Sequence, residues 1–231
     1  MKILALMRKE TREIFPWVLL GVIVFASGAA FMTKMEIAHP RYDWQYGQIE
    51  AGKMVDYYSL FVYSSWGGSG SWLFVVSIAM GIAVGVRQFW IPFFTKTWQF
   101  ELHRSVSRST ILFTKMFAAV MGICVTVGLL WTALYLYASR PGVFIVPPSW
   151  RNFMEGWVFT GMGLLVYLSI SLAALTRAKW YTTKIFGPLF AAFIIGLIIS
   201  QTSLYRAFGI LVVGMVMLFS QAAYTFLNRE F

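Results

Sequence analysis

From Arg87 to Lys115 the chain reads RQFWIPFFTKTWQFELHRSVSRSTILFTK, with aromatic, aliphatic and ionisable side chains interleaved. Trp98 and Leu102 stand at i and i+4, Phe100 is offset, and Glu101, His103 and Arg104 take the polar positions, so a short helix over 97–105 carries one apolar edge. Such a helix does binding chemistry, not bond making. It fits an apolar groove on a partner protein, or it lies on the membrane surface with Trp98 and Phe100 among the headgroups and Arg104 and Arg108 beside the phosphates.

The other reactive residue types do not assemble into a catalytic pattern. The chain has two histidines, His39 and His103, expected on opposite sides of a membrane, and one cysteine, Cys124, inside an apolar run. Cys124 reads as a small packing residue and rules out an intramolecular disulfide. Neither a phosphate-cradling loop with its lysine, nor a zinc-binding H-E-x-x-H, nor a nucleophile elbow, nor a C-x-x-C occurs. An enzyme is therefore not expected, and no cofactor or metal is expected in this chain. The net charge of +10 is dispersed over the connections, which argues against nucleic acid and for anionic lipid headgroups.

These residues must be positioned by membrane helices. Six stretches, 14–33, 57–86, 116–139, 156–176, 185–205 and 207–228, contain no charged residue, and each is 20 residues or longer. About 20 residues of helix cross the ~30 Å hydrocarbon core of a bilayer. With 59% hydrophobic residues, the expected fold is all-α: one transmembrane domain over 1–231 with six spanning helices. Thirteen of the 19 Lys and Arg residues fall on one side of that layout, which places both termini in the cytoplasm.

Residues 1–13 interleave Ile3, Leu4 and Met7 with Arg8, Lys9, Arg12 and Glu13, the pattern of a short N-terminal helix on the inner membrane surface, and Pro16 falls in the first turn of the span that follows. Residues 34–69 form the long outer loop, rich in Tyr and Trp that favour the headgroup level, and Gly67 to Ser71 read as a turn before a second span from about Gly70 to Trp90. Gly81 with Gly85, and Ala192 with Gly196, have the small-residue spacing that lets helices pack closely, with intrachain contact expected. Ser77, Thr126, Thr132, Ser169, Ser171, Gln201 and Gln221 are expected to bond between helices, and ionisable groups are expected only at or beyond the ends of the spans.

The connection 87–115 is similar to that of the permease subunits of the type 2 ABC transporter family. After their second span these proteins carry acidic residues, Gly-Thr, an aromatic or Leu pair, Pro-Val-Ser-Arg, Ile-Leu and a Lys at the head of the third span. This chain matches at Thr97, Trp98, Phe100, Leu102, Val106, Ser107, Arg108, Ile111, Leu112 and Lys115, and departs at Ser105 in place of Pro and at Phe93, Phe94 and Lys96 before the Thr. The layout of a basic N-terminal helix, six spans, a long first outer loop and a brief tail is also similar.

The resemblance implies a multi-pass permease of the bacterial cytoplasmic membrane, more an exporter than an importer. It implies a partnership with a second permease chain, identical or related, and with two copies of an ATP-binding cassette subunit that hold the ATP and Mg. It also implies that Thr97, Trp98, Phe100, Glu101, Leu102, His103, Arg104, Val106, Ser107 and Arg108 contact that subunit. Arg177, Lys179 and Lys184 in the second inner connection are a smaller candidate contact. The competing reading is a non-transport sensor or assembly component that works with an ATP-binding protein.

Overall fold

The structure is a computed structural model that describes residues 2–38, 67–95, 97, 106–140, 148–176 and 184–228. Every regular element among them is helical. α1 is Lys2–Ala38. α2 covers 67–94 and changes from α-helical (Gly67–Gly85) to π (Val86–Trp90) and back (Ile91–Phe94). α3 is Arg108–Ala138 with a π segment at Cys124–Leu129. α4 is Trp150–Leu175, α5 is Phe186–Ile199 and α6 is Leu204–Leu227.

Five of these helices are long and apolar enough to cross a membrane, and the chain is therefore a membrane protein of the all-helical class. The sixth, α5, has 14 residues and rises only roughly 21 Å. The charge-free run 185–205 is thus not one helix. Ser200 N–H bonds to the Gly196 carbonyl and Gln201 N–H to the Ile198 carbonyl, tightening the last turn, and the chain reverses through Gln201 to Ser203 into α6. A lack of charge permits helix but does not dictate where it ends.

Three further local expectations are corrected. Residues 2–13 are not a separate surface helix but the first turns of α1, and Pro16 lies inside that helix. The stripe that α1 turns to the protein there is Leu6, Glu10 and Ile14, while Leu4 is 71% exposed. The Gly-rich piece from Gly67 begins α2 instead of forming a turn. The outer-loop residues 39–66 lie outside the described residues.

α4 is the core. Of its most apolar 18-residue stretch 89% is buried, against 22% for α1 and 28% for α6, whose outward faces carry Leu20, Ile23, Phe31, Phe208, Val213 and Val216. A helix wrapped by protein on nearly every side needs no polar face, whereas the outer helices present side chains suited to lipid tails. Side-chain contacts fix the helix directions. Glu10, Gln88 and Lys115 meet near the start of α1, the end of α2 and the start of α3, and the Trp90 indole bonds to the Ile170 carbonyl late in α4. At the other end the Trp131 indole bonds to the Phe153 carbonyl, and Arg151 reaches the Thr202 carbonyl between α5 and α6. The first four helices therefore run alternately up and down.

α2 and α4 are joined along glycines. A Cβ on Gly81 would run into the Gly163 carbonyl oxygen, and one on Gly163 would lie 2.5 Å from the Ser77 carbonyl oxygen. The Gly81–Gly85 spacing is thus an intrachain seam. Ala192 and Gly196 differ: both are exposed, and a Cβ on Gly196 meets nothing within 4 Å, so that pair packs against no other part of the described chain.

Five of the seven polar side chains expected to bridge helices donate instead to their own helix, and Gln201, just past α5, donates back to that helix. Ser77 bonds to the Leu73 carbonyl, Thr126 to Gly122, Thr132 to Gly128, Ser169 to Val166, Ser171 to Tyr167 and Gln201 to Leu197. A carbonyl three or four residues back is the nearest acceptor for a short hydroxyl, so this bond forms before any interhelical one can. Gln221 is exposed.

Gly163→Ala should overpack the α2–α4 seam and cost about 1–3 kcal/mol, whereas Gly196→Ala, with open space and a better helix former, should be neutral or slightly stabilising. Denaturant titration of the two purified variants in detergent measures both, and equal midpoints would contradict the seam.

Candidate functional site

The connection 87–115 leaves α2 and enters α3 at one end of the bundle, and a buried polar network holds its two roots. α3 begins at Arg108 because Ser107, in extended conformation, accepts the Thr110 backbone N–H on its hydroxyl, capping the first turn. Two turns further, roughly 10 Å along the helix axis, Lys115 Nζ donates to both oxygens of Glu10 at 3.0 and 3.2 Å. Both side chains have no solvent exposure at all. Lys9 adds a second, partly exposed ammonium 4.0 Å from Glu10 and 3.5 Å from Glu13.

The sequence places each partner on an apolar stripe. Glu10 falls between Leu6 and Ile14, and Lys115 among Ile111, Leu112, Met116 and Ala119, all buried. Packing those stripes together carries the charges inward with them. Removing either charge alone from water is costly, and the cost is offset only because the two arrive within hydrogen-bonding distance of each other.

Gln88, fully buried in the π segment of α2, extends the network. Its Nε2 donates to the Lys115 carbonyl at 3.2 Å, and its Oε1 accepts the Tyr167 hydroxyl of α4 at 2.8 Å. Phe89 packs edge to face on Tyr167 with ring centroids 6.2 Å apart. The π turn admits one extra residue per turn, and its hydrogen bond from Ile91 N–H to the Val86 carbonyl marks the change of pitch that lets Gln88 and Phe89 both point inward. Lys184, just before α5, lies 5.8 Å from the Trp90 ring centre and 5.3 Å from that of Phe93, which brings the start of α5 close to the end of α2.

Of the expected partner-contact residues, the structure describes four. Thr97 is exposed in the turn after α2, its N–H bonded to the Pro92 carbonyl. Val106 is half-buried against the core, Ser107 caps α3, and Arg108 is exposed in the first turn of α3. Trp98, Phe100, Glu101, Leu102, His103 and Arg104 lie outside the described residues, as do Arg177 and Lys179.

Ionisable side chains are expected only at or beyond the ends of the spans, and Glu10, Lys115 and Glu155 do lie next to charge-free runs; what that expectation does not contain is that all three are buried among the helices. Glu155 is 3% exposed near the start of α4, with Arg151 Nε 3.0 Å from Oε1 and no hydrogen bond to Oε2. Reading charge-free windows missed their burial because each lies one to four residues outside a run, and a helix does not end where a run does. An acid or base in register with an apolar i, i+4 stripe was the available signal.

Four helices meet at one buried ion pair and one glutamine: the charge-assisted Glu10–Lys115 bonds join α1 to α3, and the neutral bonds of Gln88 join α2 to α3 and α4. No family model, no curated protein and no solved structure matches the chain.

Lys115→Met removes the ammonium bonded to both oxygens of the buried Glu10, leaving the partly exposed Lys9 4.0 Å away, and should destabilise the fold by about 3–5 kcal/mol. Glu10→Leu combined with Lys115→Met should recover most of that loss, which thermal unfolding of the three proteins in one detergent will read. A double variant as unstable as the single would show that the pair is not the source of the effect.

Proposed function

We propose that this chain is a membrane-spanning permease subunit of an ATP-driven transporter, with the inner connection 87–115 as its point of attachment to a separate ATP-binding subunit. The observation that carries the reading is the joint beneath that connection. Both roots of the loop are fixed to a dry polar network, and a loop that has to deliver work to helices needs stiff roots. The likeness of 97–115 to type 2 ABC permeases supplies the identity of the partner and the preference for export.

In this mechanism two ATP-binding subunits close on nucleotide, the segment around Trp98 to Arg108 moves with them, and the movement enters α3 at the Ser107 cap. The Glu10–Lys115 pair and Gln88 then carry it to α1, α2 and α4, and the helices rock between inward-open and outward-open arrangements. A second permease chain completes the assembly, since the exposed apolar faces of α1, α5 and α6 leave room for a neighbour as well as for lipid. The chain itself hydrolyses nothing in this scheme. Both termini lie in the cytoplasm of a bacterial cell, following the excess of Lys and Arg at that end.

Trp98→Ala with Phe100→Ala should strongly reduce co-purification of a nucleotide-hydrolysing subunit co-expressed from the same source, while insertion into the membrane is unchanged. Undiminished association, or cargo flux that persists without the ATP-binding subunit, would overturn the proposal.

A further inference from the structure

At the end of the bundle away from Lys115, α1 and α3 enclose a groove of about 490 Å³. Its inner reach is lined by Phe25 on α1 and Leu130 on α3, its wall by Leu134, and its floor by Ala26, Ala29 and Ala30, whose small side chains create the space. Polarity changes along the groove in the same direction on both helices. Nine residues beyond Phe25, roughly 13 Å along the axis, α1 presents Lys34, and seven beyond Leu130, α3 presents Tyr137. Lys34 is the one charged group of the lining, no carboxylate is among the lining residues, and the lysine is exposed.

An apolar trough with an ammonium and a phenol toward one end is complementary to an amphiphile with an acyl chain and an anionic head. The volume lies within the ~300–1,000 Å³ of ordinary small-molecule sites. Elsewhere on the same apolar helix Leu20, Ile23, Val24 and Phe31 are exposed, as suits a surface that meets lipid tails. Lys34 and Tyr137 fall at the ends of their spans, where lysine extends to the phosphates and tyrosine prefers the headgroup layer.

We propose that this groove is a binding site for an anionic phospholipid of the surrounding membrane, one acyl chain lying along the alanine floor and the phosphate held by the Lys34 ammonium and the Tyr137 hydroxyl. The site is independent of any ATP-binding partner, and it stands or falls apart from the transport reading.

Native mass spectrometry of the full chain released from mixed micelles, with phosphatidylglycerol and phosphatidylcholine in equal amounts, tests it. The wild type should retain phosphatidylglycerol roughly fivefold over phosphatidylcholine, the preference one lysine near a lipid phosphate provides. Lys34→Gln should bring the ratio close to parity, Lys34→Arg should keep it, and Ala30→Leu, which fills the floor, should lower retention of both lipids. Ala26→Leu serves the same purpose should Ala30→Leu not fold. An equal ratio in the wild type, a preference that survives Lys34→Gln, or retention unaffected by filling the floor would each overturn the proposal, the last result pointing to the 39–66 segment or a second copy of the chain as the occupant.

Discussion

Two opposite charges removed from water together, Lys115 and Glu10, set the arrangement of one whole end of this bundle. An isolated ammonium or carboxylate at that depth would cost more than any neighbouring apolar contact returns, so the two have to arrive as a pair, and α1 and α3 can dock in only one register. Once they do, the Lys115 carbonyl is placed to accept from Gln88, and Gln88 to accept from Tyr167. Such a pair adds little to net stability, because the cost of removing two charges from water offsets their attraction.

The remaining contacts fall into a tight and a loose class. Between α2 and α4 glycines bring backbones together without side chains between them, and in a membrane, where lipid is as apolar as leucine, such close approach is a main source of helix affinity. Around α1, α5 and α6 the outward surfaces are branched and aromatic, with Ala192 and Gly196 facing away from the protein. The two π segments, at Val86–Trp90 and Cys124–Leu129, change the pitch of α2 and α3 for about one turn each.

Much of the fold was legible from charge alone. Runs without Asp, Glu, Lys or Arg gave the apolar helices and their order, and Gly81 with Gly85 gave the seam, because both are local properties that a window can register. The ends of helices were not legible in this way. Pro16 sits inside a continuous α1, the glycines from Gly67 start a helix, and the run 185–205 divides at Ser200, since capping and tight carbonyl bonding decide those boundaries within a uniformly apolar background. The candidate site was half visible. Ser107 and Lys115 stood in the motif, but their work as cap and buried cation depends on Thr110, Glu10 and Gln88, which no motif contains.

The amino-acid order by itself determined that this is a helical membrane protein, because hydrocarbon rejects ionised groups and backbone polar groups there must be satisfied within the helix, and both requirements act residue by residue. Only the tertiary structure decided which few charges are exempt. Glu10 and Lys115 are separated by 105 positions, and a carboxylate becomes tolerable in a dry interior when an ammonium lies 3.0 Å away, a distance that exists only after the helices have packed.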